Sequence, residues 1–457
     1  MLIDFTVENF RSFKDEASLN MIAGAKFKDH PNHCVDIGET GKQVLKTGLI
    51  FGANASGKSN LVKAIGFARD LVVLGSGAIK KIAMNQFRFL ENETEHRPST
   101  FDFRFLVGKR LYQYGFSLNN EEVTSEWLSA TSDSGRDIDI FSREKQEVEI
   151  GNLKTFGETA SVSHEALKAL KQLGVRSNQL LLNKIVDLDI PKRGKLLNSA
   201  CWWFTDCLTI IEPNSNFAAL LTLLKSDPNF CAFAEKFLET AGTGIGSLTV
   251  ETADIESDRL PSEIVESLQS AGELEDTTFQ LGAGSDLSID IEDPAKIVRR
   301  NLMSGHKVGK SEYKLAFSDE SDGTQRFLNL LPALFYLSNH CHVFVIDELD
   351  RSLHPMLSHR LLKFFTETCP GKCQQMIVTT HETHLLDLEL LRRDEIWFME
   401  KDAEQQSKLI SLANMNVRKD MRIEKGYLHG RFGGVPEIGN TDRLMDLLSC
   451  EVEVQQN

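Results

Sequence analysis

No stretch of about twenty apolar residues, the length a helix needs to cross a bilayer, occurs in the chain. Its opening residues, Met1-Leu2-Ile3-Asp4-Phe5, lack the basic region and cleavage site of a secretory leader. Membrane partners are therefore not expected, and the cytoplasm is the expected compartment. The 8 cysteines form no paired CxxC framework, which suits a reducing environment. Cys369 and Cys373, with His381 and His384 downstream, do not have the spacing of a zinc finger. Basic residues are outnumbered, 51 against 66 acidic, for a net charge of −15. That balance argues against a surface that grips nucleic acid all over, while a local basic groove stays open. The densest basic stretch, Lys296, Arg299, Arg300, His306, Lys307, Lys310 and Lys314, reads first as a solvated charged face. Fixed-period repeats and sustained heptads are also missing, so neither a solenoid nor a long coiled coil is expected.

What is present suits a globular chain of two or three domains: 457 residues, 41% apolar and 26% charged. Leu2, Phe5, Val7 and Phe10 alternate with polar neighbours, as do Phe101-Asp102-Phe103-Arg104-Phe105 and the run from Leu111 to Phe116; these read as strands. From about Ser163 to Leu238 the period is helical, with Trp202, Trp203 and Phe204 expected in a core. Residues 251–293 are acidic and weakly periodic and read as a loop or loosely ordered insertion. After Tyr313, helical patterns alternate with apolar runs at 343–346, 375–380 and 395–400, the mark of a mainly parallel sheet.

The most informative segment is Gly52-Ala53-Asn54-Ala55-Ser56-Gly57-Lys58-Ser59, between an apolar run and a helical pattern. Strand, glycine loop and helix are the context of a phosphate-binding P-loop. Its backbone N–H groups can face phosphate oxygens at a helix N-terminus, where the dipole favours anions. Gly52, Asn54, Ser56, Gly57 and Asn60 would line the nucleotide, Lys58 would reach its outer phosphates, and Ser59 would hold Mg²⁺.

A second apolar strand, Val343 to Ile346, ends in Asp347 and Glu348. Asp347 would complete the Mg²⁺ shell and Glu348 would be the general base for the attacking water. Lys58 and Asp347 are separated by more than half the chain, an insertion that suits ABC-type ATPases and not compact hexameric motors. Ser321-Asp322-Gly323-Thr324-Gln325-Arg326, ahead of the second strand, fits a signature segment. There Ser321 and Gly323 would contact the γ-phosphate held by a second subunit; alternatively Ser321 is an ordinary helix N-cap. Asp350 stands where a D-loop aspartate would, and His381 where a switch histidine would. Gln86 is a candidate magnesium-sensing glutamine. No guanine-reading carboxylate stands out, so ATP is the expected nucleotide.

In this motif order the chain resembles the RecF/SMC-like branch of ABC ATPases, in particular the AAA-type ATP-binding proteins of bacterial anti-phage operons. Val7-Glu8-Asn9-Phe10-Arg11-Ser12-Phe13, Ser321 to Arg326, Asp347 to Pro355, Thr379-Thr380-His381, Leu391 to Phe398 and Gly430 to Pro436 carry the likeness. It covers about 1–130 and 310–440, with a looser match between. Septu and PARIS ATPase subunits are in this group; overcoming-lysogenization-defect nucleases share a similar head but add a TOPRIM domain, for which too few residues follow Lys401. The resemblance implies an ATPase whose nuclease or other effector is a separate polypeptide, and an ATP-sandwiched dimer or higher homo-oligomer. RecF-like DNA repair and a non-cycling ATP-binding scaffold are the alternatives; a transporter subunit is disfavoured by the long insertion.

The expected architecture is α/β. Residues 1–150 form an ATPase lobe with the P-loop and an antiparallel meander. Residues 151–305 form a helical insertion with an acidic loop, and 306–457 a second lobe with signature, carboxylate strand, D-loop and switch histidine.

Overall fold

A computed structural model describes residues 1–37, 41–76, 82, 85–89, 97–132, 134–157, 159–187, 193–213, 220–255, 278–282, 284–289, 297–336, 341–368, 373–417 and 422–434. The chain enters through β1 (Leu2–Glu8) and β2 (Ala17–Asn20), then a ribbon of β3 (Cys34–Asp36) and β4 (Gln43–Leu45). It reaches β5 (Thr47–Phe51) and helix α1 (Lys58–Val73). A meander follows: β6 (Ser99–Val107), β7 (Arg110–Leu118), β8 (Val123–Thr131), β9 (Asp137–Glu144) and β10 (Glu147–Ile150). Helices α2 (Thr159–Leu173), α3 (Leu181–Asp187) and α4 (Gly194–Trp202) lead to β11 (Leu208–Ile211), then α5 (Leu220–Ser226) and α6 (Pro228–Thr240). Strands β12 (Ile245–Ile255), β13 (Thr278–Gly282), β14 (Ser285–Ile289), β15 (Ile297–Val308) and β16 (Ser311–Ala316) come next. The chain closes with α7 (Asp322–Tyr336), β17 (Val343–Ile346), α8 (Pro355–Thr368), β18 (Gln375–Thr380), β19 (Ile396–Lys401), β20 (Ser407–Ser411) and α9 (Ile423–Leu428).

The first sheet runs β10-β9-β8-β7-β6-β1-β2, antiparallel throughout. Period-2 alternation sends Phe101, Phe103 and Phe105 inward from β6, against Tyr112, Tyr114 and Phe116 of β7. Trp203 stacks on Phe105 at 4.3 Å, and Phe204 meets Phe103 edge-on at 5.3 Å. Both are buried as expected, whereas Trp202 turns partly to solvent.

The second sheet, β11-β17-β18-β5-β19-β20, is parallel except for β20. Its inner strands are apolar on both faces because both are covered. Val343, Val345, Ile377 and Ile50 pack into the core shared with the first sheet; Phe344, Ile346, Val378 and Phe51 join a second core under α7 and α8. Gln375 joins the two sheets: its amide donates to the Leu2 and Leu45 carbonyls and its oxygen accepts from Leu2 N. The parallel order brings the carboxyl ends of β5, β17 and β18 to one edge, where α/β sheets bind ligands.

Residues 251–293 are not simply a loop. β12, β15, β14 and β13 form a sheet there, with β16 added to β15; residues 256–277 lie outside the described residues. Nor is the basic stretch wholly a solvated face. Arg300 is buried and forms a two-pronged pair with Asp286, 2.7 Å at each contact. A charged strand of this kind defeats a hydrophobic-period reading, because its inward residue is an ion whose partner lies on a neighbouring strand. Cys341 and Cys373, expected among scattered free thiols, are joined in a disulfide at the starts of β17 and β18. Their separation of 32 residues gives no local motif. Cys369 lies outside the described residues.

Candidate functional site: a phosphate loop between two carboxylates and a histidine

The loop between β5 and α1 is held open by backbone that favours glycine. Gly57 has φ 114° and Ala55 φ 64°. A side chain at Gly52 would strike the Met399 carbonyl, and one at Gly57 would strike the Ser407 hydroxyl. Ser407 Oγ donates to Ser56 O at 2.6 Å and lies 2.8 Å from Ser12 Oγ, whose own proton it can accept, and Ser12 Oγ accepts from the Asn60 amide at 2.9 Å. Asn60, expected along the nucleotide, thus spends its amide on bracing the loop against the β1–β2 turn. Nothing local in the sequence marks Ser12 or Ser407 as a brace, because both hydroxyls lie far from the loop along the chain.

Lys58 is only 4% exposed. Its ammonium folds back on the loop, donating to Gly52 O at 2.7 Å and Ala53 O at 3.1 Å, and lies 3.4 Å from His381 Nδ1. Burial lowers its pKa to about 8, against the pull of Asp347, Asp350 and Glu348. The His381 imidazole is also held below its ordinary value, by desolvation first and then by the Lys58 charge.

Asp347 ends β17 and is 2% exposed. Thr379 Oγ1 on the neighbouring strand donates to Asp347 Oδ1 at 2.5 Å and accepts from Glu348 N at 2.8 Å. One hydroxyl thus fixes both acidic residues, and Glu348 is held in the left-handed region with φ 49°. Thr379 stands two residues before the histidine in a motif read for the histidine alone. Asp350 accepts from His381 N with both carboxylate oxygens, 3.3 Å each.

The Ser321 segment is tied to the same acidic turn. Arg326 is buried and donates to Asp347 O at 3.1 Å and Glu212 O at 2.9 Å. Gly323 lies so close to the Ser352 carbonyl that a Cβ would collide with it. Ser321 Oγ accepts from Thr324 N at 3.2 Å, an N-cap contact, and its residue faces solvent. Ser321 thus caps α7 and stays open to solvent, which leaves room for the reading that pairs it with a second copy. Gln86 donates its amide to Arg97 O at 2.9 Å.

The loop suits a phosphate. Ser56 Oγ is buried and has no hydrogen-bond partner, and the Lys58 ammonium is held by the Gly52 and Ala53 carbonyls of the loop it would leave and by His381 Nδ1. Fold and loop define a P-loop nucleotide-binding head of the ABC type. A family profile described as "AAA domain, putative AbiEii toxin, Type IV TA system" matches residues 49–169 and 245–387, more than half of the chain. The chain belongs to this AAA family of P-loop ATPases. No curated protein matches it. Among solved structures it is similar to an SMC head bound to the C-terminal winged-helix domain of ScpA, 14% identical, covering 92% of this chain and 99% of that one, TM-score 0.41. An SMC head domain from Thermotoga maritima is 13% identical over 91% and 99%, TM-score 0.38. An SMC head with an extended coiled coil, bound to a ScpA C-terminal domain derived from Pyrococcus furiosus, is 15% identical over 93% and 99%, TM-score 0.33. With scores below one half, these likenesses add nothing to the topology and motifs described above. Among the described residues no helix is long and apolar enough to cross a membrane.

Proposed function

We propose that the chain hydrolyses ATP between two copies of itself, and that closure and reopening of this pair regulates a separate effector in a bacterial anti-phage defence system. The observation that carries the hydrolytic part is the convergence of Lys58, Asp347 with Glu348, and His381 at the carboxyl ends of three neighbouring parallel strands. Lys58 turns from the loop carbonyls onto the outer phosphates. Glu348 accepts the proton of the attacking water, and His381 lies against the γ-phosphate. Mg²⁺, held by Ser59 and Asp347, would offset phosphate charge. Ser321 and Gly323 of the second copy complete the site, with Asp350 tying each D-loop to its own His381.

The defence role rests on the motif resemblance and on the family description, which names a toxin of a toxin–antitoxin system. Burial of Arg300 against Asp286 takes one cation from the basic stretch that a DNA-repair reading would use. The test is affinity purification of Glu348→Gln protein from its host with Mg-ATP present throughout. A co-purifying nuclease or toxin-like protein is expected; DNA in its place, without such a protein, would transfer the chain to the repair class.

A further inference from the structure

The β15–β16 hairpin carries an edge that nothing yet described uses. Its turn, Gly309-Lys310, has two residues with Gly309 at φ 64°, the arrangement of a turn with glycine in its first central position. Every residue of β16 from Ser311 to Leu315 is exposed. Val308 is 65%, Tyr313 61% and Leu315 40% exposed. Register pairs His306 with Tyr313, Val308 with Ser311 and Ser304 with Leu315, so these apolar side chains share one face. Lys307, Glu312 and Lys314 share the other. Among the described residues no strand pairs with the outer edge of β16, and its pairing with β15 has no bulge. Of the devices that blunt such edges, β16 lacks a bulge and a proline and carries only its charges, Glu312 and Lys314.

We propose that this edge binds the same edge of a second copy, antiparallel and centred on Tyr313, in a contact separate from the nucleotide sandwich. The argument is the parity of the strand. In a two-residue hairpin the closing pair, here Val308 and Ser311, exchanges backbone hydrogen bonds. Ser311, Tyr313 and Leu315 then direct their N–H and C=O groups toward β15, and those of Glu312 and Lys314 point outward. A two-fold axis at Tyr313 sets Glu312 opposite Lys314 of the second copy, and Lys314 opposite its Glu312. Those two positions are the ones with free backbone groups, so both pairs gain ladder hydrogen bonds and a cross-strand ion pair. Tyr313 meets its own counterpart at the non-hydrogen-bonded position, where facing side chains lie closest. Within the chain Lys314 already holds Glu251 at 2.9 Å and Glu312 accepts from Ser247 at 2.6 Å. Both side chains are thus oriented on that face, and each has hydrogen-bonding capacity left.

The contact has a route to the nucleotide site. Glu320, directly before Ser321, accepts from Ser304 Oγ at 2.5 Å and contacts His306 Nε2 at 2.6 Å on β15. A second copy that fixes this hairpin also fixes the start of the signature segment.

The test is the mass of the full-length protein in solution by light scattering, without nucleotide, so that the sandwich does not contribute. A dimer is expected. Glu312→Lys and Lys314→Glu, each of which sets like charges opposite one another, are expected to halve the apparent mass. The double swap Glu312→Lys with Lys314→Glu restores complementarity and is expected to restore the dimer. A wild-type monomer, or single variants that keep the wild-type mass, would overturn the proposal, as would a folded double swap that stays monomeric. The nucleotide sandwich would stand or fall separately, because it is read with ATP present.

Discussion

Lys58 gives the most quantitative handle on the site. Its pKa of about 8 belongs to the nucleotide-free protein, in which burial opposes the charge. Triphosphate oxygens beside the ammonium restore the charged form, so binding must draw a proton wherever free Lys58 has lost one. For a pKa of about 8, the uptake is about 0.1 proton at pH 7, about 0.5 at pH 8 and about 0.9 at pH 9. The same linkage weakens ATP binding about tenfold between pH 7 and pH 9, or about 1.4 kcal/mol. Calorimetric titration of the Glu348→Gln protein in buffers of different ionisation enthalpy reads the proton count directly, and Lys58→Met removes it. The sign in folding is the reverse. The folded pKa lies below the unfolded value of 10.5, so the unfolded chain binds more protons between about pH 8 and about pH 10.5. This group's contribution to stability therefore rises with pH across that window. Uptake near zero at pH 9, with tight binding retained, would show that Lys58 is not the buried cation that meets the phosphates.

Other consequences follow from single contacts. Thr379→Val keeps the shape but removes the hydroxyl between Asp347 and Glu348 N; an unfolding free energy lower by about 2–4 kcal/mol is expected in urea, with slower ATP turnover. Gly323→Ala drives a methyl into the Ser352 carbonyl. It should impair hydrolysis while leaving ATP binding to the single chain, measured by calorimetry, within about twofold, because Lys58 and Ser59 are untouched. Arg300→Met orphans the buried Asp286 carboxylate and should cost about 3–5 kcal/mol in denaturant titration.

The candidate phosphate site was legible as a set of local motifs that the fold brings together: a glycine loop, a strand ending in two acids, and a histidine after a strand each fit within a few residues. Alternation gave the meander, and the switch of period gave the helices after Ser163. Contacts closed by tertiary structure were not legible. Ser407 and Ser12 brace the loop from opposite ends of the chain, and Thr379 matters only because β18 lies beside β17. The sheet of β12 to β16 was not legible because a buried Arg300–Asp286 pair interrupts its apolar alternation. The run Arg392-Arg393-Asp394-Glu395 shows how a family motif can be structural. Arg392 grips Asp394 and the Phe27 and Asp29 carbonyls, while Glu395 is buried against His33 at 3.0 Å, its pKa raised by burial.

The claim that each site is shared between two copies is tested most directly by mixing two inactive variants. Lys58→Ala lacks the phosphate lysine and Ser321→Arg blocks the signature, so neither should turn over ATP alone. In a mixture, the pair formed by one of each has one intact site, and about a quarter of wild-type activity is expected at equal amounts. A mixture as inactive as its components, or an active Ser321→Arg protein, would contradict the account.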